Sequence, residues 1–251
     1  MEQQIIVKKN WFKEWFNTEF YHRLYAHRDE GEAAGFIDNL IHELNPKQRA
    51  TMLDLGCGSG RHAKRLASKG FNVTGLDLAY SSILVAKKSE AENLRFHKHD
   101  MRDAFGTNCF DYVFNFFTSF GYFTAEENQH VMRHICNSLK VGGHVVIDYM
   151  NTHYAEKRLV SKDEKEIDGI IYHLTRWMDN KHFYKSIEID ALQAGERFSY
   201  IEKVAKLNLE DFKILFESNG LQLQNVYGDY GLKAYDQEKS PRLLLVAKKG
   251  N

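Results

Sequence analysis

Three glycines and two aspartates carry the chemistry that is plainest in this chain. Gly56, Gly58 and Gly60 lie in the run Leu53-Asp54-Leu55-Gly56-Cys57-Gly58-Ser59-Gly60, after a short apolar stretch and before a helical one. In a strand-to-helix turn, glycines permit a tight bend and let a ligand approach the main chain, and the helix beyond offers unpaired N–H groups. Asp77 follows the next apolar stretch, about 20 residues past the first glycine, where a carboxylate can accept both hydroxyls of a ribose. Asp100 follows the third, where a carboxylate can hydrogen-bond an exocyclic amine. Position 61 is Arg, so the GxGxxG dinucleotide fingerprint is not met, and no Lys-Ser or Lys-Thr completes a phosphate loop. The constellation suits an adenosine without a pyrophosphate.

The elements that must position these residues alternate. Strands are predicted over Thr51 to Leu55, Asn72 to Leu78, Leu94 to His99, Phe110 to Phe117 and Gly143 to Tyr149. Helices are predicted over Arg61 to Lys69, Ser81 to Ala91 and Glu126 to Leu139. Strand–helix alternation at this spacing argues for a parallel sheet, with ligands at the carboxyl ends of its strands. Before it, Trp11 to Leu44 reads as helical, with Phe12, Phe16 and Phe20 on one stripe, Gly31 and Gly35 as interruptions, and a second helical stretch from Phe36. After Asn151 the alternation lapses. Ile170 to Ile189 reads as two strands about an Asp179-Asn180 turn, and Glu196 to Val204 as a third. Asn208 caps a helix to Asn219, with Asp211 in the capping-box position, and Leu221 to Tyr230 and Arg242 to Lys248 form a terminal strand pair.

Bulk properties narrow the class. With 251 residues the chain can bury a large core without staples. Lys plus Arg and Asp plus Glu each number 34, so the net charge is zero and gives no electrostatic footprint for nucleic acid or an anionic membrane. Cys57, Cys109 and Cys136 are odd in number and far apart. They suggest neither a disulfide framework nor a metal site, and reduced cysteines fit a cytoplasmic protein. Cys57 reads as a small residue tolerated in the loop rather than a reactive thiol. His130 and His134 share a helix face but lack the Glu of a zinc-binding HExxH. No signal peptide and no transmembrane segment is read.

With these residues in view, the chain resembles the class I S-adenosylmethionine (SAM) dependent methyltransferases. Leu53 to Gly60 resembles their first motif, Val73-Thr74-Gly75-Leu76-Asp77-Leu78 their ribose motif, and His99-Asp100-Met101 their adenine motif. Phe110-Asp111-Tyr112-Val113 resembles their fourth strand and Leu139 to Gly143 the turn into their fifth. The resemblance implies a Rossmann-like α/β fold, a mostly parallel seven-stranded sheet with an antiparallel last strand. It also implies that Gly56, Cys57, Gly58 and Gly60 line the methionine part of SAM, that Asp77 and Leu78 meet the ribose, and that Asp100 and Met101 hold the adenine. Phe116 would contact the cofactor through its carbonyl, and Tyr25 and Arg28, on a closing N-terminal helix, through the sulphonium and carboxylate. Asn115-Phe116-Phe117-Thr118 stands where enzymes methylating base amines carry Asn/Asp-Pro-Pro-Tyr/Phe, a departure that weakens a nucleic-acid-base acceptor.

Methyl transfer demands alignment and exclusion of water, with a base needed only if the acceptor loses a proton. No metal is expected. Tyr122, Asp148, Tyr149 and His153, near the carboxyl ends of strands four and five, are the acceptor-facing candidates, with Tyr149, His153 and Tyr122 the candidate catalytic groups. The expected organisation is a SAM-binding domain over residues 1–154 and 206–251, with 1–35 as a helical cap, and an inserted β-rich lid or substrate region over 155–205. The expected function is methylation of the O or N of a small molecule by a monomer or homodimer. The alternatives are an RNA or protein methyltransferase, or a non-catalytic SAM-binding regulatory module. A nicotinamide-dependent oxidoreductase is disfavoured by Arg61.

Overall fold

A computed structural model describes residues 7–26, 30–191 and 196–250. In chain order its helices are α1 (Trp11–Trp15), α2 (Glu19–Leu24), α3 (Glu30–Leu44), α4 (Arg61–Ser68), α5 (Tyr80–Lys87), α6 (Ala125–Ser138), α7 (Thr152–Lys157) and α8 (Leu209–Glu217). Its strands are β1 (Thr51–Leu55), β2 (Asn72–Asp77), β3 (Leu94–Lys98), β4 (Phe110–Asn115), β5 (Leu139–Met150), β6 (Lys162–Ile167), β7 (Ile170–Met178), β8 (His182–Ala191), β9 (Glu196–Ala205), β10 (Leu221–Tyr227) and β11 (Arg242–Lys249). The chain divides into two units, Arg28–Glu156 with Leu207–Asn251, and Met1–His27 with Lys157–Lys206.

The larger unit is built on a seven-stranded sheet in the order β10-β11-β5-β4-β1-β2-β3. β1 to β5 pair in parallel, and β11 runs antiparallel between β5 and β10. Central strands read as nearly continuous apolar runs because helices cover both faces. Thus Met52, Leu53 and Leu55 of β1, Val113 and Phe114 of β4, and Leu243 to Ala247 of β11 are all buried. The edge strand β3 alternates instead, with Leu94 and Phe96 inward and Arg95, His97 and Lys98 exposed. One core cluster joins Phe36 and Leu40 of α3 to Met52, Phe96, Phe114 and Val146 of the sheet. Helix starts are set by side-chain caps. Asn208 accepts from the N–H groups of Glu210 and Asp211 while Asp211 accepts from Asn208, and Thr124 and Glu127 make the same reciprocal pair at α6.

The smaller unit is a four-stranded antiparallel sheet, β6-β7-β8-β9, with α1 and α2. Trp15 packs on Tyr200 at 4.7 Å between ring centres and Phe20 on Phe198 at 4.8 Å. Trp15 also donates its indole N–H to Glu202 at 2.7 Å. These aromatic contacts group the first helices with the antiparallel sheet, whereas the sequence reading placed residues 1–35 with the parallel one.

Several boundaries differ from expectation for local reasons. The helical stretch expected from Trp11 is broken earlier than at Gly31, because Thr18 takes an extended backbone and caps α2 by accepting from the Tyr21 N–H. Gly31 and Gly35 do not interrupt α3. β6, with the sequence KDEKEI, carries no apolar alternation to announce it; it is a charged edge strand held by its pairing with β7. α7 was not foreseen either. β4 stops at Asn115, not at Phe117, because Phe117 and Thr118 both turn left-handed, with φ of 60° and 58°.

Candidate functional site

Gly56, Gly58 and Gly60 lead from β1 into α4 with φ of +80°, +54° and +83°, a backbone that side chains other than glycine's adopt only under strain. Each glycine has its own further reason. A Cβ at Gly56 would stand 2.8 Å from the Ser119 Cβ and 3.6 Å from the terminal methyl of Met101. One at Gly60 would enter the Phe96 ring at 2.5 Å, so Gly60 serves the packing of the loop on the sheet. At Gly58 a Cβ would meet nothing within 4 Å, so this is where the main chain offers open space. Four of the loop's amides are satisfied internally: Gly56 and Cys57 donate to the Leu76 carbonyl at 2.7 and 3.0 Å, Gly58 to Asp77 at 2.7 Å and Gly60 to the Cys57 carbonyl at 2.9 Å. The Cys57 side chain is buried, its thiol facing Gly75, and burial pushes its pKa well up.

Asp77 ends β2. Its Oδ2 accepts from Gly58 and its Oδ1 from the Ala79 N–H at 2.7 Å, which leaves each oxygen a further lone pair. Desolvation raises its pKa against the pull of these backbone donors. Leu78, half-buried, follows at the strand end. Asp100, at the end of the third strand, has a partner absent from the sequence reading. Arg102 donates through Nε at 3.0 Å, through Nη2 at 2.7 Å and through its backbone N–H at 3.1 Å, and also binds Glu127 at 2.9 Å. Arg102 therefore takes up part of the Asp100 carboxylate's accepting capacity. The Phe116 carbonyl accepts from the Ser119 hydroxyl at 2.8 Å and the Ser119 N–H at 3.3 Å, and the Phe116 ring is buried among Phe36, His62 and Phe114.

Asp54, one residue before Leu55, is the group that the sequence reading quoted in a motif but gave no role. It is 1 % exposed, and neither carboxyl oxygen makes a hydrogen bond of normal geometry. Burial, and then the neighbouring charge of Asp77, push its pKa up to about 7, opposed by the Ala63 N–H and by Arg61. His62, in the first turn of α4, is 5 % exposed with its Nε2 unpartnered. Burial, then Arg61, lower its pKa to about 3, so it is neutral at pH 7. An orphaned buried carboxyl close to the strand-end Asp77, with open main chain at Gly58 four residues on, fits a ligand that brings its own positive charge. The strand-end carboxylate of Asp77 fits a ribose. These residues fit the amino-acid and ribose parts of SAM.

The acceptor-side candidates fall in different environments. Asp148 is not acceptor-facing: it is wholly buried and takes four donors, as set out below. Tyr149 is wholly buried on the opposite face of β5, its ring edge-on to Phe212 and its hydroxyl against Gly121, where a Cβ would come within 2.3 Å. Burial raises its pKa far above a free phenol's. Tyr122 is half-buried. His153, on α7, holds Glu238 at 2.5 Å. Tyr25 lies in the smaller unit, where its hydroxyl donates to Glu202 at 3.0 Å and accepts from Lys185 at 2.6 Å. Arg28 lies outside the described residues. Among the described residues, no three metal-ligating side chains come together, and no helix is long and apolar enough to cross a membrane.

The turn after β4 stands out. Two consecutive left-handed residues other than glycine cost roughly 1–2 kcal/mol each, and Phe117 and Thr118 are such a pair. Asp148 Oδ2 accepts from the Phe117 N–H at 2.9 Å and the Tyr230 hydroxyl at 3.0 Å, and Oδ1 accepts from Arg242 Nε at 2.7 Å and Nη2 at 2.5 Å. The Asp148 carbonyl takes the Thr118 N–H at 2.9 Å, and Arg242 donates to the Thr118 hydroxyl at 3.1 Å. The Phe117 ring lies under the Arg61 guanidinium at 4.4 Å.

Comparison with known proteins agrees with this geometry. Residues 46–203 match the family described as "Methyltransferase domain". The chain is 27 % identical to a candidate methyltransferase of Geobacillus sp. (strain WCH70), over 85 % of this chain and 90 % of that one. It is 22 % identical to the dTDP-3-amino-3,4,6-trideoxy-alpha-D-glucopyranose N,N-dimethyltransferase of Streptomyces venezuelae, over 80 % of this chain and 87 % of that one. Among solved structures, an S-adenosylmethionine-dependent methyltransferase from Clostridium acetobutylicum ATCC 824 shares the fold with a TM-score of 0.77 at 19 % identity, covering 92 % of this chain and 97 % of that one. The chain belongs to the methyltransferase-domain family, and S-adenosylmethionine is its cofactor.

Proposed function

We propose that this methyltransferase acts in the cytoplasm on a nitrogen or oxygen of a small polar molecule, with an amino sugar as the first acceptor class to try. The observation that carries the reading is the convergence, at the carboxyl ends of β1, β2 and β3, of the glycine loop, Asp77 and Asp100-Met101, with the orphaned Asp54 carboxyl behind the loop. Bound SAM would supply a methyl group on a positively charged sulphur. In this reading Gly58 and its neighbours bear the amino-acid part, Asp54 faces its ammonium, Asp77 takes the ribose hydroxyls and Asp100 with Met101 the adenine. The protein's work is alignment and exclusion of water. Among the acceptor-side candidates, His153 is backed by the Glu238 carboxylate, and it is the group we assign to receive a proton if the acceptor releases one. The smaller unit is assigned as the substrate region. Similarity to an aminosugar dimethyltransferase across most of the chain, and a zero net charge, support a small acceptor over a polymer.

The test is calorimetric titration with SAM, followed by a screen of dTDP-linked amino sugars, free amines and phenols for formation of S-adenosylhomocysteine. Turnover on a small amine or hydroxyl compound supports the reading. Turnover only on RNA or a protein would overturn the acceptor assignment while leaving the cofactor site in place.

A further inference from the structure

We propose that the buried Asp148, paired with the half-buried Arg242, is a positioning device for the cofactor site, acting through the left-handed turn at Phe117-Thr118. Both ends of this turn rest on the glycine loop. Before it, Asn115, wholly buried, donates its side-chain amide to the Leu55 carbonyl at 2.8 Å, the last peptide before Gly56. After it, Ser119 presses on Gly56 so closely that no Cβ would fit there. The middle of the turn is held from the other side of β4. The Phe117 N–H goes to the Asp148 carboxylate, the Thr118 N–H to the Asp148 carbonyl, and the Thr118 hydroxyl accepts from Arg242. Asp148 lies on β5 and Arg242 opens β11, and Tyr230 completes the carboxylate's donor set. A two-residue left-handed run of Phe and Thr does not hold itself, because each residue gains by relaxing to right-handed or extended backbone. Relaxation here would move Asn115 and Ser119 off the loop that carries the cofactor. Asp148, wholly buried with its carboxylate taken up by the turn, Tyr230 and Arg242, is thus a positioning residue.

The arithmetic follows from population. If losing the Asp148 anchor leaves the competent turn in a tenth of the molecules or fewer, SAM affinity falls roughly 10-fold or more. Glycine at 118 adopts the left-handed conformation without strain, so it should return much of that loss.

The experiment measures SAM affinity by calorimetry, and amide hydrogen exchange across residues 115–119, in the wild type, Asp148→Asn, Thr118→Gly and the double variant, each first confirmed folded by circular dichroism. The expected result is a loss of about 10-fold or more in Asp148→Asn, faster exchange at the Phe117 and Thr118 amides, and recovery of at least about half of that loss, on a logarithmic scale, in the double variant. A folded Asp148→Asn with wild-type SAM affinity overturns the proposal, and so does a loss that Thr118→Gly leaves untouched. If Asp148→Asn does not fold, Tyr230→Phe, which removes one donor to the same oxygen, takes its place. It should raise exchange at Phe117 and weaken SAM by a smaller factor, and wild-type behaviour in both would overturn the proposal. The inference rests on SAM binding and not on the acceptor. Failure of the wild type to bind SAM would strike the cofactor site itself, whereas binding in every variant alike would strike only the positioning role.

Discussion

Two buried aspartates in one sheet make opposite use of their charge. Asp148 on β5 and Asp54 on β1 are 0 % and 1 % exposed. Asp148 is surrounded by four donors, two of them from a guanidinium, so its negative charge is matched where it stands. Asp54 has no hydrogen bond of normal geometry and is pushed up to about 7 by burial and by the charge of Asp77. Burial alone therefore does not say what a carboxylate is for. The donor set does: a satisfied buried carboxylate fixes architecture, and an unsatisfied one is costly to keep unless a ligand completes it.

The largest test of this contrast is truncation of the satisfied partner. Asp148→Ala leaves the half-buried Arg242 without its counter-ion and the Phe117 N–H and Tyr230 hydroxyl without their acceptor, and chemical denaturation should show a loss of about 3 kcal/mol or more. A loss below about 1 kcal/mol would break the comparison.

At the other aspartate the sign reverses. The folded pKa of Asp54, about 7, lies above the ordinary 3.8 of the unfolded chain. Between these values the unfolded chain gives up the proton while the folded protein holds it, so stability falls as pH rises through that window and stays reduced above it. Asp54→Asn should then raise the stability of the ligand-free protein at about pH 8 by up to about 4 kcal/mol, with the gain shrinking towards about pH 4. The same substitution should weaken SAM. Thermal melts at two pH values with and without SAM would show both, and a destabilised Asp54→Asn at high pH would show that the carboxylate is partnered after all.

A smaller effect sharpens the same point. Asp54 attracts a cation only when ionised, so SAM affinity should rise roughly 10-fold between about pH 6 and pH 8, with proton release on binding below the midpoint. Calorimetry in two buffers of different ionisation enthalpy measures that release, and flat affinity would remove Asp54 from the binding event. The smallest expected change in stability is at Gly58. Gly58→Ala meets no neighbour but keeps φ at +54°, so it should cost only about 1 kcal/mol of stability while lowering SAM affinity, because its methyl enters the open space above the loop.

Much of the parallel sheet was legible in the chain. Buried parallel strands need apolar runs on both faces, so Thr51 to Leu55 and the stretch from Phe110 announce themselves, and Gly70, Asn208 with Asp211, and Gly220 mark helix ends by local chemistry. The antiparallel unit was legible where apolar residues alternate, in β7 to β9, and not in β6, whose charged residues are held by a neighbouring strand and not by their own pattern. The glycine loop and Asp77 could be found because close main-chain approach and strand-end placement leave a spacing. The partners of Asp100 and Asp148 could not. Arg102 is two residues from Asp100, but nothing in that spacing says that it forks onto the carboxylate, and Arg242 lies 94 residues from Asp148.

The sequence by itself determined the fold family and, through the resemblance of its motifs, the cofactor, because strand periodicity, glycine chemistry and short-range spacing are local properties of the chain. Only the tertiary structure decided which buried carboxylates are satisfied. That is a question of which donors arrive from distant strands, and strand order brings β11 beside β5 and the end of β4 beside β1 without leaving a trace in local sequence.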